Sequence, residues 1–173
     1  MKRATIAQSF SVSFTVGLYG IAFGAAGIAA GFSILQTCLL SLLTFSGASQ
    51  FAVVGVIGSG GSAVSGIATA SLLGIRNGLY GLRMAPILKV RNLKRIIAAQ
   101  ITIDESTGVA IGQEDRGEAA MKLGFWLTGF GVYFFWNLFT VVGAVSAQAM
   151  GNPSAFRSEE HTSELQSRQY LVC

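Results

Sequence analysis

Residues 4 to 75 read ATIAQSFSVSFTVGLYGIAFGAAGIAAGFSILQTCLLSLLTFSGASQFAVVGVIGSGGSAVSGIATASLLGI, 72 residues without one charged side chain. A soluble domain carries about 25% charged residues and does not sustain such a run. The solvent that tolerates it is a lipid bilayer. Wound as a single helix at 1.5 Å per residue, the stretch would reach about 108 Å, whereas a hydrocarbon core of roughly 30 Å takes about 20 residues per crossing. It therefore holds up to three membrane elements.

The rest of the chain agrees. Of 173 residues, 51% are hydrophobic and only 12% charged, with 22 Gly and 2 Pro. There is no G-x-y period, so a collagen-like chain is excluded. Abundant Gly in an apolar background fits membrane helices whose backbones approach closely. The formal charge of +4 comes from basic residues flanking apolar segments. Their expected role is to set topology, not to bind nucleic acid. Cys38 and Cys173 form no disulfide or metal pattern. Lys2 and Arg3 precede an apolar region that runs past the roughly 7–15 residues of a signal-peptide core, so the start reads as a first membrane element.

Small residues divide the apolar part. Elements are expected over 10–30, 34–57 and 63–82, with breaks at Gly31 to Ser33 and Gly58 to Ser62. Residues 123–150 read as one further long helix. Between them, 96–111 is moderately apolar and interrupted by Asp104 and Glu105; a surface helix, a re-entrant element or a shortened span would each fit. The fold class expected is an all-α, polytopic, transporter-like bundle. Composition changes near residue 156, and Arg157 to Ser167 (RSEEHTSELQS) matches the conceptual translation of a common sequencing adapter. Residues 157–173 are thus expected to be a non-native tail. Residues 1–156 are read as the N-terminal part of a longer membrane domain, and His161, Glu159, Glu160, Glu164 and Cys173 carry no functional weight.

Orientation is in conflict with three full crossings. Lys2 and Arg3 favour a cytoplasmic N-terminus, which would put the basic residues of 83–95 outside, against the positive-inside rule. Either the N-terminus is outside or one early element does not cross. The first element is the suspect, because Gly17, Gly20, Gly24, Gly27 and Gly31 punctuate it. These glycines suit either a broken, substrate-lining helix or close helix packing.

Three polar clusters stand out. Phe45-Ser-Gly-Ala-Ser-Gln-Phe51 places Ser46, Ser49 and Gln50 inside the second element; an amide in hydrocarbon must find a partner, in a solute or a neighbouring helix. Arg76 and Asn77 end the third element. Arg76 can grip a carboxylate in a charge-assisted pair or snorkel to the interface. Thr102-Ile-Asp-Glu-Ser106 offers two carboxylates, Asp104 and Glu105, that can bind an amine, relay a proton, pair with Arg76 or simply end a helix in water. No catalytic set, cofactor loop or metal pair is visible. Gly58 to Gly61 lacks the Lys of a phosphate loop and reads as a turn.

The ordered set resembles the AzlC family of branched-chain amino acid permeases. The matching features are Tyr19 to Gly24, Ser46 to Phe51, Arg76 to Tyr80, Thr102 to Glu105 and the aromatic helix Phe125 to Gly143. One departure stands: the family's Asn-Leu-Arg, often followed by His, is Gly74-Ile75-Arg76-Asn77 here. The resemblance implies multi-pass residence in a bacterial cytoplasmic (inner) membrane and export of branched-chain amino acids without a cofactor. It also implies a small AzlD-like membrane protein as partner, with self-association into a homo-oligomer left open. On this reading Ser46, Ser49 and Gln50 bind substrate polar groups, with Asn77 beside them, and Arg76 or the Asp104–Glu105 pair handles charge. The competing expectation is a membrane scaffold or assembly subunit whose polar clusters only bind other helices.

Overall fold

A computed structural model describes residues 2–151, which among them contain helices and turns but no strand. The proposed tail from Arg157 lies outside the described residues. Helices α1 (Lys2–Gly17) and α2 (Tyr19–Ala29) form a rod interrupted only at Leu18. There follow α3 (Ile34–Leu43), α4 (Gly47–Gly58), α5 (Ala63–Leu88), α6 (Leu93–Gln100), α7 (Asp104–Ile111), a 3-10 turn at Glu114–Arg116, and α8 (Glu118–Met150). The Lys2–Ala29 rod and α8 are each long and apolar enough to cross a membrane.

The rod and α8 run parallel along the middle of the bundle. Ser13 Oγ donates to the Thr128 carbonyl at 3.2 Å, Gly17 lies on Phe135, and Gly24 lies on the Thr140 carbonyl. A Cβ at Gly20 would sit 2.5 Å from the Trp136 oxygen. The glycines of the first element therefore serve close packing. Only Gly31, at φ +88°, needs the left-handed backbone that turns the chain into α3. Ser33 then caps α3 reciprocally with Gln36, at 3.2 and 2.8 Å.

The break that the orientation conflict calls for lies in the second element. Instead of one helix over 34–57, α3 runs inward, the chain turns at Thr44 to Ser46, and α4 runs back out. Thr37 touches Gly27 and Gly58 touches Ala30, so both outer ends lie beside the end of α2. The tip reaches the middle of α8, where the Phe45 and Tyr133 rings stand 4.8 Å apart. Ser46 is extended (φ −157°, ψ 105°). The carbonyls freed at the end of α3 are taken by Gln50, whose amide donates to Ser41 O at 3.2 Å and Thr44 O at 2.7 Å.

Helix α5 then carries the chain back to the end where it began, and Lys89 meets Glu118 at the start of α8 (3.0 Å). Of the three forms open to 96–111, the chain adopts the folded-back one. Helix α6 runs inward until Ile101 meets Gly129. Helix α7 runs outward from Asp104, beside Arg76, until Glu114 just beyond it meets Arg83. The two hairpins enter from opposite ends and touch tip to tip, with the Gln100 amide donating to Leu42 O and Leu43 O at 3.0 and 3.3 Å.

This arrangement is an inverted internal repeat. A shift of 57 residues carries Gly47, the first residue of α4, onto Asp104, the first of α7. The same shift carries Gly17 onto Gly74, Gly24 onto Gly81, Ser49 onto Ser106 and Gly55 onto Gly112. The α1–α2 rod with its hairpin thus recurs, upside down, as α5 with its hairpin.

Charge follows the same geometry. The basic residues of 83–95, with Arg116 and Lys122, gather at the Lys2 end, whereas the turns at 30–33 and 59–62 carry none. Because the second element folds back, Lys2 and 83–95 share one end and the conflict disappears. Charged flanks also explain why α8 starts at Glu118 and α5 extends to Leu88. Apolar runs stop at charge, whereas helices continue through it when i,i+4 partners such as Glu118 and Lys122 (2.7 Å) meet.

Candidate functional site

The hairpin tips border a small, partly open cavity of about 70 Å³. The first turn of α4 contributes Ser46, Gly47 and Ala48, and the first turn of α7 contributes Asp104 and Glu105. Arg76 and Asn77 come from the middle of α5, and Val16, Phe45, Ile103, Val132 and Trp136 make the apolar wall. All three polar clusters of the sequence therefore reach one place. The fold brings them there because each hairpin turns at mid-depth.

Arg76 Nη1 and Asp104 Oδ2 pair at 2.9 Å, with both side chains about 40% exposed (41% and 39%). Three buried polar atoms around this pair have no partner within the chain: Arg76 Nε, Asp104 Oδ1 and Ser46 Oγ. Buried polar atoms are nearly always satisfied; among the described residues Ser9 Oγ, Thr107 Oγ1 and Thr128 Oγ1 are also unpartnered but do not line the cavity, so three of the six such atoms gather here. Helix α4 begins without a side-chain cap, which leaves its first amides free to meet an anion at the positive end of the helix dipole. Helix α7 opens with Asp104 and Glu105. One tip therefore presents donors and the other carboxylates, with the Arg76 guanidinium between them.

Two predicted site residues lie elsewhere. Ser49 Oγ donates to the Ala70 carbonyl at 2.9 Å and ties α4 to α5. Gln50 is fully buried; besides its two amide bonds, its carbonyl accepts from Trp136 Nε1 at 2.9 Å. Its hydrogen-bonding groups are spent on holding the tip. Sequence reading missed the Gly47 and Ala48 backbone, because amides leave no side-chain signal, and the apolar wall from α1 and α8. Trp136 was visible only as an aromatic in a long helix.

A second, open cleft of about 470 Å³ adjoins the cavity and shares Phe45, Ser46 and Asn77 with it. Its other walls include Leu40 and Val53 on the first hairpin, Ile67 and Ala70 on α5, and Gln100 at the tip of the second hairpin.

Comparison with known proteins agrees with this picture of a membrane-embedded bundle. Residues 11–150 match the family described as AzlC protein. The chain is also 29% identical over 133 residues to the inner membrane protein YgaZ of Escherichia coli (strain K12), an alignment covering 75% of this chain and 54% of that relative. The chain thus spans about half the length of the curated relative it matches. No solved structure matches it. With the family matched over all but the first helical turns of the described residues, the chain belongs to the AzlC family of membrane proteins.

Proposed function

We propose that this chain forms part of a secondary transporter that exports branched-chain amino acids across the cytoplasmic membrane, as the large subunit beside a small AzlD-like membrane protein. The observation that carries this reading is the meeting of two opposed hairpin tips around Arg76, with three polar atoms left unpartnered there. Discontinuous helices meeting at mid-membrane are a common device for holding a solute in transporters.

The cavity suits a zwitterion. The substrate carboxylate takes the free amides of α4 and the Arg76 guanidinium. Its ammonium takes Asp104, with Glu105 beside it. The aliphatic chain lies against Phe45, Ile103 and Val132 in the cavity's own apolar wall. The cavity is partly open and the Arg76–Asp104 pair borders it, so the bound substrate replaces each partner with its own opposite charge. The basic end bearing Lys2 and 83–95 faces the cytoplasm, so substrate enters from that side.

The scaffold reading requires every polar cluster to be satisfied by other helices. Ser49 and Gln50 fit it, and the Arg76–Asp104 pair also joins two helices; Ser46 Oγ, Arg76 Nε and Asp104 Oδ1 remain unpartnered, and the balance favours transport. The test is leucine, isoleucine and valine flux in vesicles containing the full-length protein and its partner. Arg76→Ala and Asp104→Asn are expected to abolish flux while the protein still inserts. Flux at the unsubstituted rate in both variants would overturn the proposal.

A further inference from the structure

We propose that the groove between α5 and the first hairpin is the seat of one more membrane helix, supplied by the part of a full-length family protein that follows α8. This rests on the internal repeat and on packing, independently of the transport reading.

In the first half of the repeat, α8 covers the α1–α2 rod. Ser13, Gly17, Gly20 and Gly24 press against it. At the second hairpin's tip, Ile101 lies on Gly129, and Ile103 packs in the cluster that holds Val132 and Trp136. The 57-residue shift carries these six positions onto Ala70, Gly74, Asn77, Gly81, Thr44 and Ser46. Five of the six, all but Gly81, line the open cleft of about 470 Å³. Where a Cβ at Gly24 would collide with the Thr140 carbonyl, a Cβ at Gly81 meets nothing within 4 Å. The same positions are therefore covered by α8 in one half of the repeat and mostly border an open cleft in the other.

Direction identifies the occupant. The repeat reverses the chain, so the counterpart of α8 runs antiparallel to α8 and parallel to α5. A helix following α8 starts at the end of the bundle where α8 finishes, and so runs the required way. The Escherichia coli relative has the length for it, since this chain covers 54% of that protein. The surface calls for an apolar helix with small residues opposite Gly74 and Gly81, where backbones can meet closely.

The test is cysteine cross-linking in the full-length gene product, with native cysteines replaced and the protein in lipid. Gly81→Cys is paired in turn with single cysteines introduced after residue 151. Cross-links to positions of one later helix, recurring every three or four residues, are expected, together with loss of Gly81→Cys labelling by a lipid-phase thiol reagent. Cross-links only to a second copy or to the small partner subunit would overturn the proposal. So would unimpeded labelling from lipid, or a gene that encodes no further helix. Gly81→Leu supplies a second readout: it should lower the melting temperature of the full-length protein, whereas an unchanged melting temperature would contradict the assignment.

Discussion

Gln50 and Arg76 are both polar residues in an apolar setting, and the fold uses them in opposite ways. Every hydrogen-bonding group of Gln50 except one lone pair is engaged at the tip of the first hairpin. Its truncation would strand the Ser41 carbonyl and the Trp136 indole N–H in the interior, and each unpaired buried group costs about 1–3 kcal/mol. Gln50→Ala is therefore expected to lower the thermal midpoint in detergent markedly, whereas Ser46→Ala, which removes a hydroxyl with no partner, should leave it nearly unchanged. Arg76 holds one partner and keeps Nε spare. Because a lysine cannot grip a carboxylate in two places, Arg76→Lys should retain Asp104 pairing yet weaken substrate affinity, read as a raised KM for transport. The sequence showed these residues as exceptions to hydrophobicity. It did not show their direction: Ser46, Ser49 and Gln50 lie within five positions, but only Ser46, at the extended turn, reaches the cavity.

At the scale of elements, the apolar run and the breaks at 31–33 and 58–62 were legible because Gly and Ser interrupt it. The fold-back of 34–57 was not. A stretch of that length suits a single crossing of about 20 residues, and the signal for a turn within it is confined to Thr44 to Gly47. What decides the matter is tertiary: Tyr133, Trp136 and Gln100 hold the tip from other helices. The glycines of the rod were legible as packing residues, and their contacts make a sharp expectation. Gly24 meets the α8 backbone with no room for a side chain, so Gly24→Leu should separate α2 from α8 and abolish folded protein in size-exclusion chromatography. Gly55→Leu, at a position with open space around it, serves as the tolerated control.

At the scale of the whole molecule, the inverted repeat puts two half-depth hairpins on opposite sides of one polar cavity. Identity between the halves is thin, resting on a few glycines and Ser49 with Ser106. The repeat therefore emerges from the coincidence of helix boundaries more than from the residues. The same topology fixes which loops share a side. Thiol labelling of intact cells should protect Arg91→Cys and expose Ser33→Cys and Ser62→Cys to a membrane-impermeant reagent. External labelling of Arg91→Cys together with Ser33→Cys would mean that the first hairpin crosses after all.

The central claim is that the space between the tips holds the transported amino acid. Ser46→Cys, in full-length protein whose native cysteines are replaced by serine, places a thiol at that point. Its rate of alkylation should fall when leucine is added and stay constant when an amino acid that is not transported is added instead. Alkylation of Ser46→Cys that leucine does not slow, in protein shown to transport leucine, would contradict the assignment of this cavity.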